Sequence, residues 1–381
     1  MTATAIQSKA WGNLETTYDT VLAMASTNAV DFVSFDITPE LSFEALQSHV
    51  GTASLQGEVE GMQGGKWSLA VEISTKGAGV APDYGFLLEA AFGTETVSAS
   101  TSVTYSCDDT NAKSLQLVKC SGDNLYEVIN GAWVEQVDWK IEAGKPGMIT
   151  FSGGFATYGH YFGGSTVDGA HSTSDTTIDV LTGTGVHYRP NALIKFGTED
   201  NSGAGYTVVS VSADSVTITP GLAAGISDLD AVTAMQISHA PAGTVRPGIN
   251  CGYSVGGTAI GVIESNVSFK TAIRPLDKQA TSDRPTGLVV GQRREITCDD
   301  QVYFLDENGK YLGAAWNGTV QNIIRRAGVN TAAERMKLNT PACRLNVVPI
   351  ELADSEVGTA KLSGLARQNS AAGDEFTCVL D

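Results

Sequence analysis

Trp67-Ser68-Leu69-Ala70-Val71-Glu72-Ile73 alternates large apolar residues with small or polar ones. Successive side chains on a strand point to opposite faces, so this period of two predicts a strand with one buried and one wetted face. The reading extends both ways. Upstream, Phe32, Val33, Phe35 and Ile37, then Ser54 to Glu60, carry β-type patterns, while residues 1–30 are weakly patterned and read as an arm or ordered loop. Downstream, Pro82-Asp83 opens a helix through Tyr84, Leu87, Leu88 and Ala91, which Gly93 closes. Strands are expected at Ser102 to Ser106, Ser114 to Lys119 and Leu125 to Ile129. Asn130-Gly131 reads as a hairpin turn into Val134 to Ile141. A second hairpin near Gly144 to Gly147 returns through Met148 to Phe155.

Composition agrees with a turn-rich β protein. The chain holds 42 Gly in 381 residues, above the ~7% average, and 17% charged residues, below the usual ~25%. With 24 basic against 42 acidic residues the net charge is −18, which repels a nucleic-acid backbone. That balance serves solubility, or a conduit whose like-charged wall keeps a polyanion from sticking. The six Cys (107, 120, 251, 298, 343, 378) form no C-x-x-C and have no His at metal-ligand spacing. They read as reduced, mostly buried thiols of a cytoplasmic protein. Met1 to Lys9 has no basic region followed by an apolar core, so no signal peptide is expected. No run approaches the ~18 apolar residues of a membrane span, and the missing export signal speaks against an outer-membrane barrel.

Short themes recur far apart. Val33-Ser34-Phe35 returns as Val267-Ser268-Phe269. Leu88-Glu89-Ala90-Ala91-Phe92-Gly93-Thr94 returns as Leu312-Gly313-Ala314-Ala315-Trp316-Asn317-Gly318-Thr319, with one residue inserted. The echoes imply two related lobes, each with a core of its own. Between them, Gly159 to Ser174 reads as a linker or flexible loop. Five short β segments follow at Thr177–Leu181, Leu193–Phe196, Tyr206–Ser212, Ser215–Thr219 and Ala234–Ser238, a small barrel or sandwich projecting outward, with its exit at Pro241 to Pro247. In the last lobe, β runs are expected at Ile260 to Ile273, Arg294 to Leu305, Cys343 to Glu351 and Glu375 to Leu380. Asp306 to Gly309 reads as a turn or helix lead-in, and Leu312 to Ile324 as mostly helical with a break at Asn317-Gly318. The expected class is mainly β: lobes at 1–160 and 246–381, with a small inserted β domain at 161–245.

Residues that could carry chemistry are few. Gly252-Tyr253-Ser254-Val255-Gly256 matches G-x-S-x-G, but a β-type run rather than a helix follows it and no His comes after His239, so it reads as a Gly-rich turn. The five His (49, 160, 171, 187, 239) are scattered, with His160 and His171 expected at the surface. Asp108-Asp109 and Asp299-Asp300 point to opposite faces within each pair, and read as charged strand ends able to line a channel. Arg293-Arg294 and Arg325-Arg326 are expected at subunit contacts or on a solvated face. No phosphate loop, dinucleotide fingerprint or EF-hand occurs. No catalytic, cofactor or metal residue is assigned.

The order of segments resembles the major tail tube proteins of long-tailed, siphovirus-like bacteriophages. The resemblance rests on the Trp67 strand, the Pro82 helix with Leu88 to Gly93, Leu125-Tyr126 to Gly131-Ala132 and the Gly144 hairpin. In the last lobe it rests on Asn266 to Phe269, Gly291 to Ile296, Leu345 to Ile350 and Asp374-Glu375-Phe376. It implies tail-tube-like sandwich or half-barrel lobes, each with a short helix, and an inserted β domain. It further implies self-association into rings, trimers acting as pseudo-hexamers, stacked into a tube in the virion tail. Implied partners are other tail proteins, such as terminator, tape measure and distal tail proteins, and DNA in passage without specific binding. No membrane, cofactor or enzymatic activity is implied. The 1–30 arm and the 39–52 segment are candidates to dock one ring on the next. Two other readings predict different observables: a tail-tip, decoration or adhesin-like protein would bind host surfaces as discrete oligomers, and a polysaccharide hydrolase would need opposed carboxylates in a groove.

Overall fold

The computed structural model describes residues 8–45, 58–246, 251–277, 279, 281–291, 293–303, 313, 315, 317–331, 334–346, 350–351, 359–370 and 373–381, with backbone alone at 41–45, 58–62 and 350–351. The chain is mainly β. Its first part supplies β1 (Ser8–Leu14), β2 (Ala29–Val30), β3 (Ser34–Ala45), β4 (Glu58–Glu72) and the short β5 (Ser74–Thr75). Helix α1 (Gly85–Phe92) follows, then β6 (Gly93–Ser98), β7 (Ser102–Cys107), β8 (Leu115–Ser121), β9 (Leu125–Glu142), β10 (Met148–Phe155) and β11 (Thr157–Tyr161). The middle carries β12 (Ser165–Thr166), β13 (Thr177–Asp179), β14 (Leu193–Phe196), β15 (Tyr206–Ser212), β16 (Ser215–Thr219) and β17 (Ala231–Ala234). After β18 (Thr244–Val245) come β19 (Gly252–Val255), β20 (Thr258–Ile260), β21 (Val262–Lys270), β22 (Ile273–Pro275) and β23 (Leu288–Val290). The remainder is β24 (Glu295–Tyr303), β25 (Val320–Gly328), β26 (Arg335–Leu345), β27 (Ile350–Glu351), β28 (Thr359–Ala366) and β29 (Thr377–Leu380).

One sheet organises the molecule. Its strands run β3–β4–β10–β9–β21–β24–β28, every neighbour antiparallel, so it crosses from the first part of the chain to the last at the β9–β21 pairing. Ser34, Ala70, Thr150, Asp138, Ser268, Thr297 and Leu365 form one cross-strand row. Beyond β28 it continues to β27 at one end (Ile350–Glu351) and to β26 at the other, through Cys343 to Leu345. The order hairpin strand, hairpin strand, then a second hairpin with its later strand inside occurs twice, as β3–β4–β10–β9 and as β21–β24–β28–β27.

Two further sheets cover the apolar face. One runs β2–β1–β8–β9–β11 and the other β6–β7–β29–β26–β25–β19–β20. The alternation that begins at Trp67 puts Trp67, Leu69, Val71 and Ile73 at 2% exposure or less, facing them. α1 plugs the space between layers: Leu87, Leu88, Ala90, Ala91 and Phe92 are all buried, as a helix apolar on nearly every side must be. Gly93 ends it at φ +98°, its N–H bonded to the Glu89 carbonyl. Phe92 stacks on Phe376 (5.5 Å between centroids) and touches Phe269 (5.0 Å) and Trp139 (6.2 Å). Phe35 and Phe92 of the first echoed region and Val267 and Phe269 of the second share this core, while Ala315 of the later echo packs in a separate apolar cluster with Tyr253, Val255, Ile323, Cys343 and Leu362.

The middle segment forms its own sheet, β12–β17–β14–β15–β16–β13. β14, β15 and β16 match the expected spans, whereas the last strand lies at Ala231–Ala234, before the expected 234–238. Its core (Ile194, Phe196, Tyr206, Val208, Ile218) is continuous with Trp11, Val118, Tyr126 and Val128 of the outer sheet. The expected linker at 159–174 is instead partly strand. β11 and β12 are joined by Gly163 (φ +53°) and Gly164 (φ +77°), so these glycines serve a turn.

Other expectations change too. Asn130-Gly131 is no hairpin: β9 runs through it, and Gly131 (φ +58°) lets the strand leave the outer sheet and join the inner one. Residues 320–324 belong to β25, not a helix, because Ile323, Arg325 and Ala327 face inward at period two. Pro341 lies inside β26, at the irregularity where pairing with β25 shifts register, which suits a residue without an N–H. Residues 8–14 of the expected arm are β1, with Trp11 at 1% exposure. Within the expected docking loop, 39–45 is strand. Residues 1–7, 46–52, 54–57, 247, 292, 304–312, 314, 316 and 347–349, which carry the rest of those readings, lie outside the described residues.

Candidate functional site

The face of the inner sheet turned away from the core carries ordered rows of polar and charged side chains. Because the core takes every second side chain, the others line up in rows: Glu72, Met148, Lys140, Asn266, Asp299 and Ser363 form one, and Asp36, Ser68, Ser152, Gln136, Lys270 and Glu295 another. The middle of this face is a shallow open concavity of about 760 Å³, bordered by Asp138, Lys140, Thr150, Asn266, Asp299 and Ser363. Asp36, Glu40, Glu72, Asp138, Glu142, Glu264, Glu295 and Asp299 stand on the face against Lys66, Lys140, Lys270, Arg344 and Lys361, so the surface is net acidic.

Several of these acids are held in place. Lys140 reaches Glu264 at 3.0 Å and Glu142 at 3.6 Å, and Lys270 reaches Glu295 at 3.2 Å. Gln136 donates to both oxygens of Asp138 at 2.9 and 2.8 Å. The Lys145 ammonium, then Lys140, holds Glu142 below the usual carboxylate range; the Asn266 amide and Lys140 do the same for Glu264. These groups stay ionised at neutral pH, giving a fixed field rather than a titrating one.

The residues singled out in the sequence lie elsewhere, with one exception. Only Asp299 faces this surface. Its neighbour Asp300 is fully buried, receiving Arg325 Nη2 at 2.6 Å and Nε at 3.0 Å, Tyr253 Oη at 2.9 Å and Ser265 Oγ at 2.5 Å. Arg325 also donates to Thr340 Oγ1 at 2.9 Å. Asp109 receives Arg294, which also binds Glu375 at 2.9 Å and the Asp108 carbonyl. Arg294 and Arg325 are thus internal fastenings, not subunit contacts or solvated charges. The signal for the second was present: Asp300 falls in phase with Ile296, Cys298 and Val302, and Arg325 with Ile323 and Ala327, so both occupy apolar phases of their strands.

Gly252 to Val255 is strand β19, and Gly256-Gly257 (φ +55° and +82°) turns it into β20, so no nucleophile elbow forms. Burial and the Arg189 cation push His160 down to about 4, and at 8% exposure it is not the expected surface residue. His171 lies beside Asp175, His187 bonds the Gly163 carbonyl and His239 packs edge-on against Trp11. His49 is outside the described residues. Among the described residues no three His, Cys, Asp or Glu gather as a metal site, no helix is long and apolar enough to cross a membrane, and all six Cys are free thiols. No protein-family model matches this chain, and the search of curated proteins finds no significant relative.

Proposed function

We propose that this protein is a structural subunit of a bacteriophage tail tube, whose copies join edge to edge into rings that stack around a conduit for DNA. The observation that carries the reading is the continuous antiparallel sheet with its twice-used strand order. Among the described residues β3, twelve residues long, pairs in a ladder with β4 alone, and such an edge is an association hazard for a protein meant to stay single. Along β3–β4–β10–β9–β21–β24–β28–β27 the strand directions alternate over an even number of strands. The two edges therefore run oppositely, and β3 of one copy can pair antiparallel with β27 of the next. Three copies present six four-strand units, an approximate sixfold ring from a threefold one.

The same sheet has chemistry suited to a lumen. Its apolar face is sealed by the two covering sheets, while its other face is polar, concave and net acidic. Duplex DNA carries one charge per ~1.7 Å, so a fixed acidic wall favours passage over adhesion. Substituting Glu72, Asp138 and Asp299 together with Lys leaves the packed face untouched. Assembly should persist while genome delivery slows; delivery at wild-type rate would remove the lumen role from this face.

A further inference from the structure

The segment between β1 and β2 folds over the outer sheet at the end where β9 bends. Two contacts fix its position. Gln116 of β8 accepts the Leu22 N–H and donates to the Leu22 carbonyl at 3.1 Å, and Thr157 of β11 donates its hydroxyl to Asp19 Oδ2 at 2.9 Å. Asn130 of β9 stands between those strands. It pairs directly with Thr157 and, like Gln116, lies in the irregular stretch where β8 and β9 lose register. Residues opposite one another on antiparallel strands project to the same face, so Asn130 points beneath the segment that carries Asp19. Asn130 is at 0% exposure, yet neither its Oδ1 nor its Nδ2 has a hydrogen-bond partner among the described residues. The same holds for the buried Asp19 Oδ1 and Tyr18 Oη. Tyr18 closes the group from the side of the bend, where a Cβ on Gly131 would stand 3.2 Å from its hydroxyl oxygen.

Buried polar atoms in native proteins have partners, so four at one bend, three of them oxygens, call for a common one. The surrounding charge favours a cation over water alone. Glu15, which accepts the Gly131 N–H at 2.8 Å and the Asp19 N–H at 2.9 Å, brings a second carboxylate beside that of Asp19. The guanidinium that reaches the group, Arg284 on Thr157 Oγ1 at 3.1 Å, is itself paired with Asp283 at 3.2 Å. We propose that Asp19 Oδ1, Asn130 Oδ1 and Tyr18 Oη hold a hard divalent cation, calcium foremost, which fastens the segment after β1 to the bend of β9. An all-oxygen set of carboxylate, amide carbonyl and phenol suits such an ion, and calcium tolerates uneven geometry with water in its remaining positions. Every group lies within one copy, so the inference stands apart from the tube reading.

The test strips wild type and an Asp19→Asn variant with a chelator and titrates each with calcium chloride by calorimetry. Asparagine tolerates the left-handed backbone of position 19 (φ +56°) and can still accept from Thr157, so charge changes more than shape. Heat denaturation is then compared in calcium chloride and in sodium chloride of matched ionic strength. Wild type should bind one calcium per chain and melt at a higher temperature in calcium. Asp19→Asn should weaken binding by about tenfold or more, because ligand charge sets calcium affinity, and should lose that shift. A Glu72→Lys/Asp138→Lys/Asp299→Lys variant, altered on the inner sheet's polar face, should keep both. If Asp19→Asn fails to fold, Tyr18→Phe, which deletes the phenol oxygen alone, should still weaken binding severalfold. A wild type that binds no calcium, or melts alike in both salts, overturns the inference. So does calcium binding that survives the Asp19 and Tyr18 substitutions or vanishes in the triple variant, which would assign the ion to the acidic face instead.

Discussion

Asp300 sits at 0% exposure and Arg325 at 1%, joined by two hydrogen bonds, with Tyr253 and Ser265 donating further to Asp300 and Thr340 accepting from Arg325. Two charges taken out of water lose several kcal/mol of hydration each, so such a pair persists only with close geometry and added hydrogen bonds. Removing one partner strands the other. Arg325→Met should cost about 3–5 kcal/mol in chemical denaturation, and adding Asp300→Leu should recover part of that loss. A single Arg325→Met variant as stable as wild type would show that the pair does not govern this end of the core. At this scale the strand phase alone marks both residues as inward-facing; what it leaves open is that they face each other, since they lie 25 residues apart on strands that are not neighbours.

Among the elements, β9 connects the most. It pairs with β8 and β11 before the bend and with β10 and β21 after it, and Gly131 is the pivot. Glu15 Oε1 accepts the Gly131 N–H at 2.8 Å, fixing the bend from β1's side. A Cβ on Gly131 would stand 3.0 Å from both the Ala156 Cβ and the Tyr18 ring, at a φ of +58° that L side chains rarely adopt. Gly131→Ala should therefore destabilise by about 1–3 kcal/mol, read as a lowered denaturation midpoint. An unchanged midpoint would mean the bend is not strained. The dipeptide Asn130-Gly131 signals positive φ in the sequence, and that much is legible. Local sequence does not separate a turn that reverses the chain from a bulge that redirects it, because the difference lies in which distant strands pair on either side. The same limit explains β25, whose Ala-, Ile- and Arg-containing stretch suits a helix until β19 and β26 claim its backbone.

Across the whole molecule, mainly β composition, α1 and three strands of the middle sheet could be read directly from residues. The order of strands could not. That β21 lies against β9 depends on Phe269 and Phe92 meeting in a shared aromatic cluster, a contact between segments 177 residues apart in the chain that no local pattern encodes. Once that contact is made, the inner sheet becomes continuous, its polar face becomes a single concave wall, and β3 remains as an open edge. On the proposed function this edge pairs with another copy, which electron microscopy of the purified protein would reveal. The images should show stacked rings with a hollow axis, in which β3 of one copy shares backbone hydrogen bonds with the next copy and the face bearing Asp138 and Asp299 surrounds the bore. Single protomers at every concentration, or assemblies in which β3 stays unpaired and that face points outward, would contradict it.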